Sequence, residues 1–140
     1  MHAAPRWFTP VAVAALLWNL LGCVAFIADL RLTPDDIAHL PAAQQVLYQA
    51  RAGWAIAATG IAVIGGALGS LGLLMRRRWA SGLLIASLLG VLVQDIGLWM
   101  VLDSVRAAGS VSLLLQGMVL LVAMALVPLA GFARARGWTA

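Results

Sequence analysis

Four apolar stretches, at 11–28, 54–75, 83–102 and 113–133, make up most of this 140-residue chain. Each is 18 to 22 residues long. At about 1.5 Å rise per residue, a helix of that length matches the roughly 30 Å hydrocarbon core of a bilayer. The four stretches contain one charged residue between them, Asp95. They are apolar nearly all round and lack the polar stripe of a surface helix in a soluble protein. With 64% hydrophobic and 10% charged residues overall, too little polar sequence is left to cover a water-soluble core. The expected fold class is therefore all-α: an integral membrane four-helix bundle, one transmembrane domain over 1–140.

The charges set a topology. Arg6 precedes the first stretch, Arg76, Arg77 and Arg78 separate the second from the third, and Arg134 and Arg136 follow the fourth. Arg31, Arg51 and Arg106 fall in the alternate connections, mixed with Asp29, Asp35, Asp36 and Asp103. Six arginines against three, with every connecting acid on the minority side, places both termini and the triple-arginine loop in the cytoplasm. All nine basic residues are Arg and all five acids Asp, a usage that points to a GC-rich bacterial genome and hence to the inner membrane. Arginines at span ends meet lipid headgroups, so the sequence pI near 11 does not imply nucleic acid. The expected partners are the lipid bilayer and a second copy or another membrane protein.

The outer loop, 29–53, carries its own signals. Thr33 followed by Pro34, Asp35 and Asp36 is a helix start: a capping hydroxyl, proline at the first helical position and acids in the first turn. Leu40-Pro41 ends that helix, and a second runs from Pro41 to about Ala50 with Val46, Leu47 and Ala50 on one face. A short turn around 107–112 is expected between the last two spans. Pro128 should bend or loosen the end of the fourth.

Helices in lipid associate by close packing and hydrogen bonds, because lipid tails are as apolar as leucine. The second span suits this, with Gly65 and Gly69 four apart and Ala58, Ala62, Gly66 and Ser70 along a neighbouring stripe. Gly65, Gly66, Gly69 and Ser70 are thus the expected helix-packing residues. Ala15, Asn19 and Gly22 repeat the pattern in span one, and Ser87, Gly90, Gln94 and Gly97 in span three.

A polar belt crosses the outer half of the bundle. Asp95 lies seven residues inside the outer end of span three, roughly 10 Å deep. Thr59 is at similar depth, Asn19 slightly deeper, Gln116 shallower, and Gln94 adjoins Asp95. An intramembrane carboxylate costs on the order of 2–3 kcal/mol, so Asp95 must turn inward and find a donor or hold a proton. Arg51 and Arg106 are the outer-side cations within reach. Two readings stand. Asp95, Gln94, Asn19, Thr59 and Gln116 form a substrate or ion site, or the same groups only lock helices together.

Other chemistry is sparse. His2 and His39 belong to no ligand cluster, and no phosphate loop, acid pair or Ser-His arrangement occurs, so neither an enzyme nor a metal or cofactor is expected. Leu20-Leu21-Gly22-Cys23 resembles the cleavage box of a lipoprotein signal. Trp18-Asn19 interrupts its apolar region and Val24 to Ile27 stay apolar beyond it, so the segment is kept as a span.

The pattern Trp18-Asn19-Leu20 with Gly22, Leu32-Thr33-Pro34, Leu40-Pro41, Tyr48, Trp54 and Gly65-Gly66 with Gly69 continues through Trp79-Ala80, Leu88 to Gln94 and Gly137-Trp138. On these residues the chain resembles a widespread group of small bacterial four-span membrane proteins often labelled sugar transporters. The resemblance spans nearly the whole chain. It implies a transporter-like activity on sugars or small solutes, and it implies no role for Asp95. The chain lacks the Pro-Gln motif of semi-SWEET carriers and the first-span glutamate of small multidrug carriers. Four spans hardly enclose a sugar path, so transport implies an oligomer. The alternative is an accessory or scaffold protein that docks a partner through its outer loop or spans.

Overall fold

The structure, a computed structural model, describes residues 3–51, 53–100 and 102–140, the side chains of 102–108 excepted. The described residues form an all-α bundle of six helices: α1 Phe8–Leu30, α2 Pro34–Ala38, α3 Ala42–Ala50, α4 Gly53–Leu74, α5 Ala80–Met100 and α6 Leu102–Ala135. The four long helices are each long and apolar enough to cross a membrane. This is a membrane protein, and the short helices α2 and α3 lie between the first two spans.

α4 is the spine. Half of its most apolar window is buried, against 11 to 22% for the other three. Its sequence explains this, because apart from Leu73 in its last turn its interior faces carry small residues: Ala58, Ala62, Gly65, Gly66, Gly69 and Ser70 are all buried. The larger Ile61, Ile64, Leu68, Leu71 and Met75 follow helical spacing on the exposed face. Large side chains face outward and small ones inward, as close helix approach in lipid requires.

The glycines serve two neighbours. A Cβ on Gly65 would lie 3.1 Å from the Leu83 carbonyl oxygen, and one on Gly69 would lie 2.6 Å from Leu84 Cγ, so both face α5. Gly66 faces α1, where a Cβ would overlap the Asn19 amide. From the other side, a Cβ on Gly90 of α5 would stand 2.8 Å from the Ala58 carbonyl oxygen. The expected α5 stripe meets α4 throughout: Ser87 Oγ donates to the Ala62 carbonyl at 2.5 Å, Gln94 meets Thr59, and Trp54 covers Gly97.

Both chain turns at the arginine end use the same motif. After α6, Trp138 N–H bonds the Ala133 carbonyl at 2.8 Å and Gly137 N–H bonds the Arg134 carbonyl at 3.1 Å, with Gly137 at φ +71°. After α4, Arg77 N–H reaches Gly72 at 2.8 Å and Arg76 N–H reaches Leu73 at 3.0 Å, but here Arg76 holds the left-handed position at φ +57°. Trp138 then folds back among Trp7, Phe8 and Phe132, with ring centroids 5.2 to 5.9 Å away. Ala140 pairs through its backbone with Arg76 and Arg78. This aromatic clasp joins the start of α1 to the end of α6 and caps a core of Phe8, Ala12, Leu73, Leu84, Leu126 and Ala130.

Two boundaries differ from the sequence reading. The helices overrun the expected spans at most ends, since the apolar-to-charged switch marks the membrane edge and not the last helical hydrogen bond. The connection expected around 107–112 is instead helical on both sides of a break at Gly109 (φ +75°, ψ +163°), a conformation that glycine adopts without steric cost. Residue 101, next to the end of the third expected span at 102, lies outside the described residues. α6 runs on through Pro128 to Ala135.

Candidate functional site

The α2–α3 connection brings two signals into use. Thr33 caps α2 as the sequence indicates: its hydroxyl accepts from Asp36 N–H at 3.2 Å while the Asp36 carboxylate accepts from Thr33 N–H at 2.8 Å. That backbone hydrogen bond, with the Thr33 hydroxyl bond behind it, holds the Asp36 carboxyl below its ordinary range. α3 begins after Pro41, and the Gln45 amide bonds the carbonyls of Ala38 and Leu40, fixing the angle between the two short helices.

α3 is then fastened to the end of α1. Tyr48 and Arg51, three residues apart on one helix face, both reach the Asp29 carboxylate; the Tyr48 hydroxyl donates to one oxygen and the Arg51 guanidinium to the other. Burial, then the hydrogen bond and charge of Asp29, push the Tyr48 phenol up to about 12. Arg51 is therefore spent on Asp29 and does not reach Asp95. Arg106, the other cation considered, lies among the side chains that are not described.

Beneath α3 is a cleft of about 600 Å³. Tyr48, Arg51 and Trp54 line its rim, and Thr59, Gln94 and Gln116 its inner part. Consecutive residues of α5 point about 100° apart, so Gln94 and Asp95 address different helices. Gln94 turns to α4, where the amide atom placed as Oε1 lies 2.7 Å from Thr59 Oγ1. Asp95 continues the buried face of Leu84, Ser87 and Val91 and turns to α6, where the Gln116 amide nitrogen donates to its carboxylate. At 9% exposure, Asp95 is turned into the bundle with a donor from another helix, as its depth demands.

The proton count constrains this network. Thr59 Oγ1 is also 2.9 Å from the Ala55 carbonyl oxygen, and its single proton cannot serve both contacts. Both are satisfied when Thr59 donates to Ala55 and accepts from the Gln94 amide nitrogen.

The expected belt divides in two. Thr59, Gln94 and Gln116 gather at the cleft with Asp95 behind Gln116, whereas Asn19 does not join them. Its amide donates to Ser70 Oγ at 3.1 Å and to the Ala15 carbonyl at 2.9 Å. Ser70 lies in the last turn but one of α4, so Asn19 belongs to the arginine-end half and packs beside Gly66. Helix tilt and offset, which residue counting ignores, account for the difference. A separate cavity of about 50 Å³ lies there between Trp18, Asn19, Ser87 and Val122.

Asp29, Tyr48, Arg51 and Trp54 are cleft residues that span-by-span reading missed as a site. Their signal is faint in sequence: an acid at a span end, and a tyrosine and arginine at helical spacing in a loop. The fold and cleft define a membrane protein of four long helices with a cleft at its hairpin end whose mostly apolar wall carries a few polar side chains. No protein-family model, curated protein or solved structure matches the chain.

Proposed function

We propose that this chain is a small transporter-like protein of a bacterial inner membrane, binding a small polar solute in the cleft and working as an oligomer. The observation that carries the reading is the cleft itself, about 600 Å³ and floored by hydrogen-bonding side chains from three spans. A buried carboxylate and three polar partners are costly in lipid, and a solute that uses them offsets that cost. The arginine distribution supports an orientation with both ends of the chain in the cytoplasm and the cleft open to the outside. The aromatic clasp closes the other end, so the arrangement corresponds to an outward-facing state. Sugars are the solutes that the resemblance implies.

An accessory role is the second reading, favoured by the exposed α2–α3 hairpin, whose Val46 is 46% exposed. Uptake into proteoliposomes, with a panel of sugars and cations and with and without a proton gradient, separates the two. Saturable uptake that is lost in Thr59→Val and Gln94→Leu variants supports the transporter. Binding without uptake supports the accessory role.

A further inference from the structure

The bonding capacity left unspent in the cleft says what kind of solute it takes. Gln116 commits an amide N–H to Asp95, which leaves its carbonyl oxygen as an acceptor. Turned so that its nitrogen rather than Oε1 meets Thr59, as the single Thr59 proton requires, the Gln94 amide likewise leaves its carbonyl oxygen. At the rim, Arg51 and Asp29 neutralise each other in an ion pair. Among the described side chains no cation contacts Asp95, whose carboxylate lies behind the Gln116 amide of the cleft wall. The rings of Tyr48 and Trp54 line the entrance, and an aromatic face attracts a cation. Amide oxygens, a carboxylate and aromatic rings together suit a ligand rich in donors and positive charge. They suit an anion least.

We infer that the cleft selects small hydroxylated organic cations bearing an ammonium group, with Asp95 as their counter-ion. This rests on the solute-site reading above and differs from the neutral sugar that the resemblance implies. Asp95 then has two competing occupants, a bound ammonium and a proton. The groups that face it bear on that competition. α6 presents neutral Gln116, α4 meets the adjoining Gln94 through Thr59, and the charged or titratable groups of the cleft are Asp29, Tyr48 and Arg51. Asp103 and Arg106 fall among the side chains not described.

Three polyols of one carbon frame test this on the full chain in nanodiscs by calorimetry: glucamine, sorbitol and gluconate carry an ammonium, a hydroxyl and a carboxylate at the same end. A charge about one side chain from a carboxylate, at intermediate dielectric, changes affinity by roughly ten- to a hundredfold. Glucamine should bind tighter than sorbitol by about that factor, and gluconate weakest. Its affinity should fall as pH is lowered while that of sorbitol stays level. Asp95→Asn should abolish the preference for glucamine over sorbitol, both measured on that variant, and flatten the pH dependence of glucamine. Asp95→Glu should retain the preference. The pH profile needs no variant, so a failure of Asp95→Asn to fold leaves the test intact. Equal binding of sorbitol and glucamine, or a preference for gluconate, overturns the cation inference and leaves the solute site standing. No saturable binding of any of the three overturns both.

Discussion

At the scale of single residues, position within the bundle outweighs residue type. Gly66 and Gly117 are both helical glycines, yet a Cβ on the first would overlap the Asn19 amide and a Cβ on the second meets nothing within 4 Å. Gly66→Ala should therefore lower the melting temperature in detergent, since overpacking typically costs about 1–3 kcal/mol. Gly117→Ala should raise it slightly, by up to about 1 kcal/mol of helix propensity. Equal effects would mean that Asn19 does not abut α4. Arg76 is the other informative residue. A non-glycine residue in the left-handed conformation costs roughly 1–2 kcal/mol, and glycine returns about 0.5–1 of that to the unfolded chain. Arg76→Gly should thus stabilise the fold on the order of 0.5 kcal/mol or more by thermal denaturation, and a loss would place Arg76 in a needed contact. The sequence points to Gly66 as a packing residue from its spacing alone. It gives no hint of the strain at Arg76, because three successive arginines read only as a topology signal. Asp95 is legible for a simpler reason: a carboxylate in lipid has few places to go.

At the scale of elements, α2 and α3 respond to pH in opposite directions. The Asp36 carboxyl is held low by the Thr33 cap, so its contribution to α2 is present above the ordinary carboxylate value and lost as pH falls through its lowered one. Amide exchange in α2 should quicken on acidification, and Thr33→Ala should quicken it at every pH. Tyr48 is raised, so its bond to Asp29 is fully present below the ordinary phenol value of about 10 and is lost as pH rises through about 12. Tyr48 is the one tyrosine of the chain, so phenolate absorbance near 295 nm reports it alone. The titration midpoint should lie near 12 in the native protein and move toward the ordinary value in Asp29→Asn. An unshifted midpoint would mean that α3 is not fastened to α1. The two short helices are readable in the sequence because caps and prolines are local signals. The fastening is not, because it joins residues from two elements whose separation only the folded chain sets.

At the scale of the whole molecule, the four spans are read from composition, while their mutual offset is not. That is why Asn19, counted by depth, falls in the wrong half. The orientation proposed for the bundle predicts that, with Cys23 replaced by alanine, a membrane-impermeant thiol reagent applied outside labels Gln45→Cys and spares Arg77→Cys. The reverse pattern would invert the protein and put the cleft on the cytoplasmic face. The clasp of Trp138 on Trp7 and Phe8 has a consequence in biosynthesis. Each long helix packs on the one made before it, α4 on α1, α5 on α4 and α6 on α5. The ring closes only where the end of the chain meets its beginning. During translation the inner face of α1 around Ala12 and Ala15 waits for a partner until the ribosome has finished α6. Until α6 is made, the nascent bundle has two of these interfaces and an open face between α1 and α5. The seam between α1 and α6 is therefore the last to form, and Trp138 packs across its arginine-end edge.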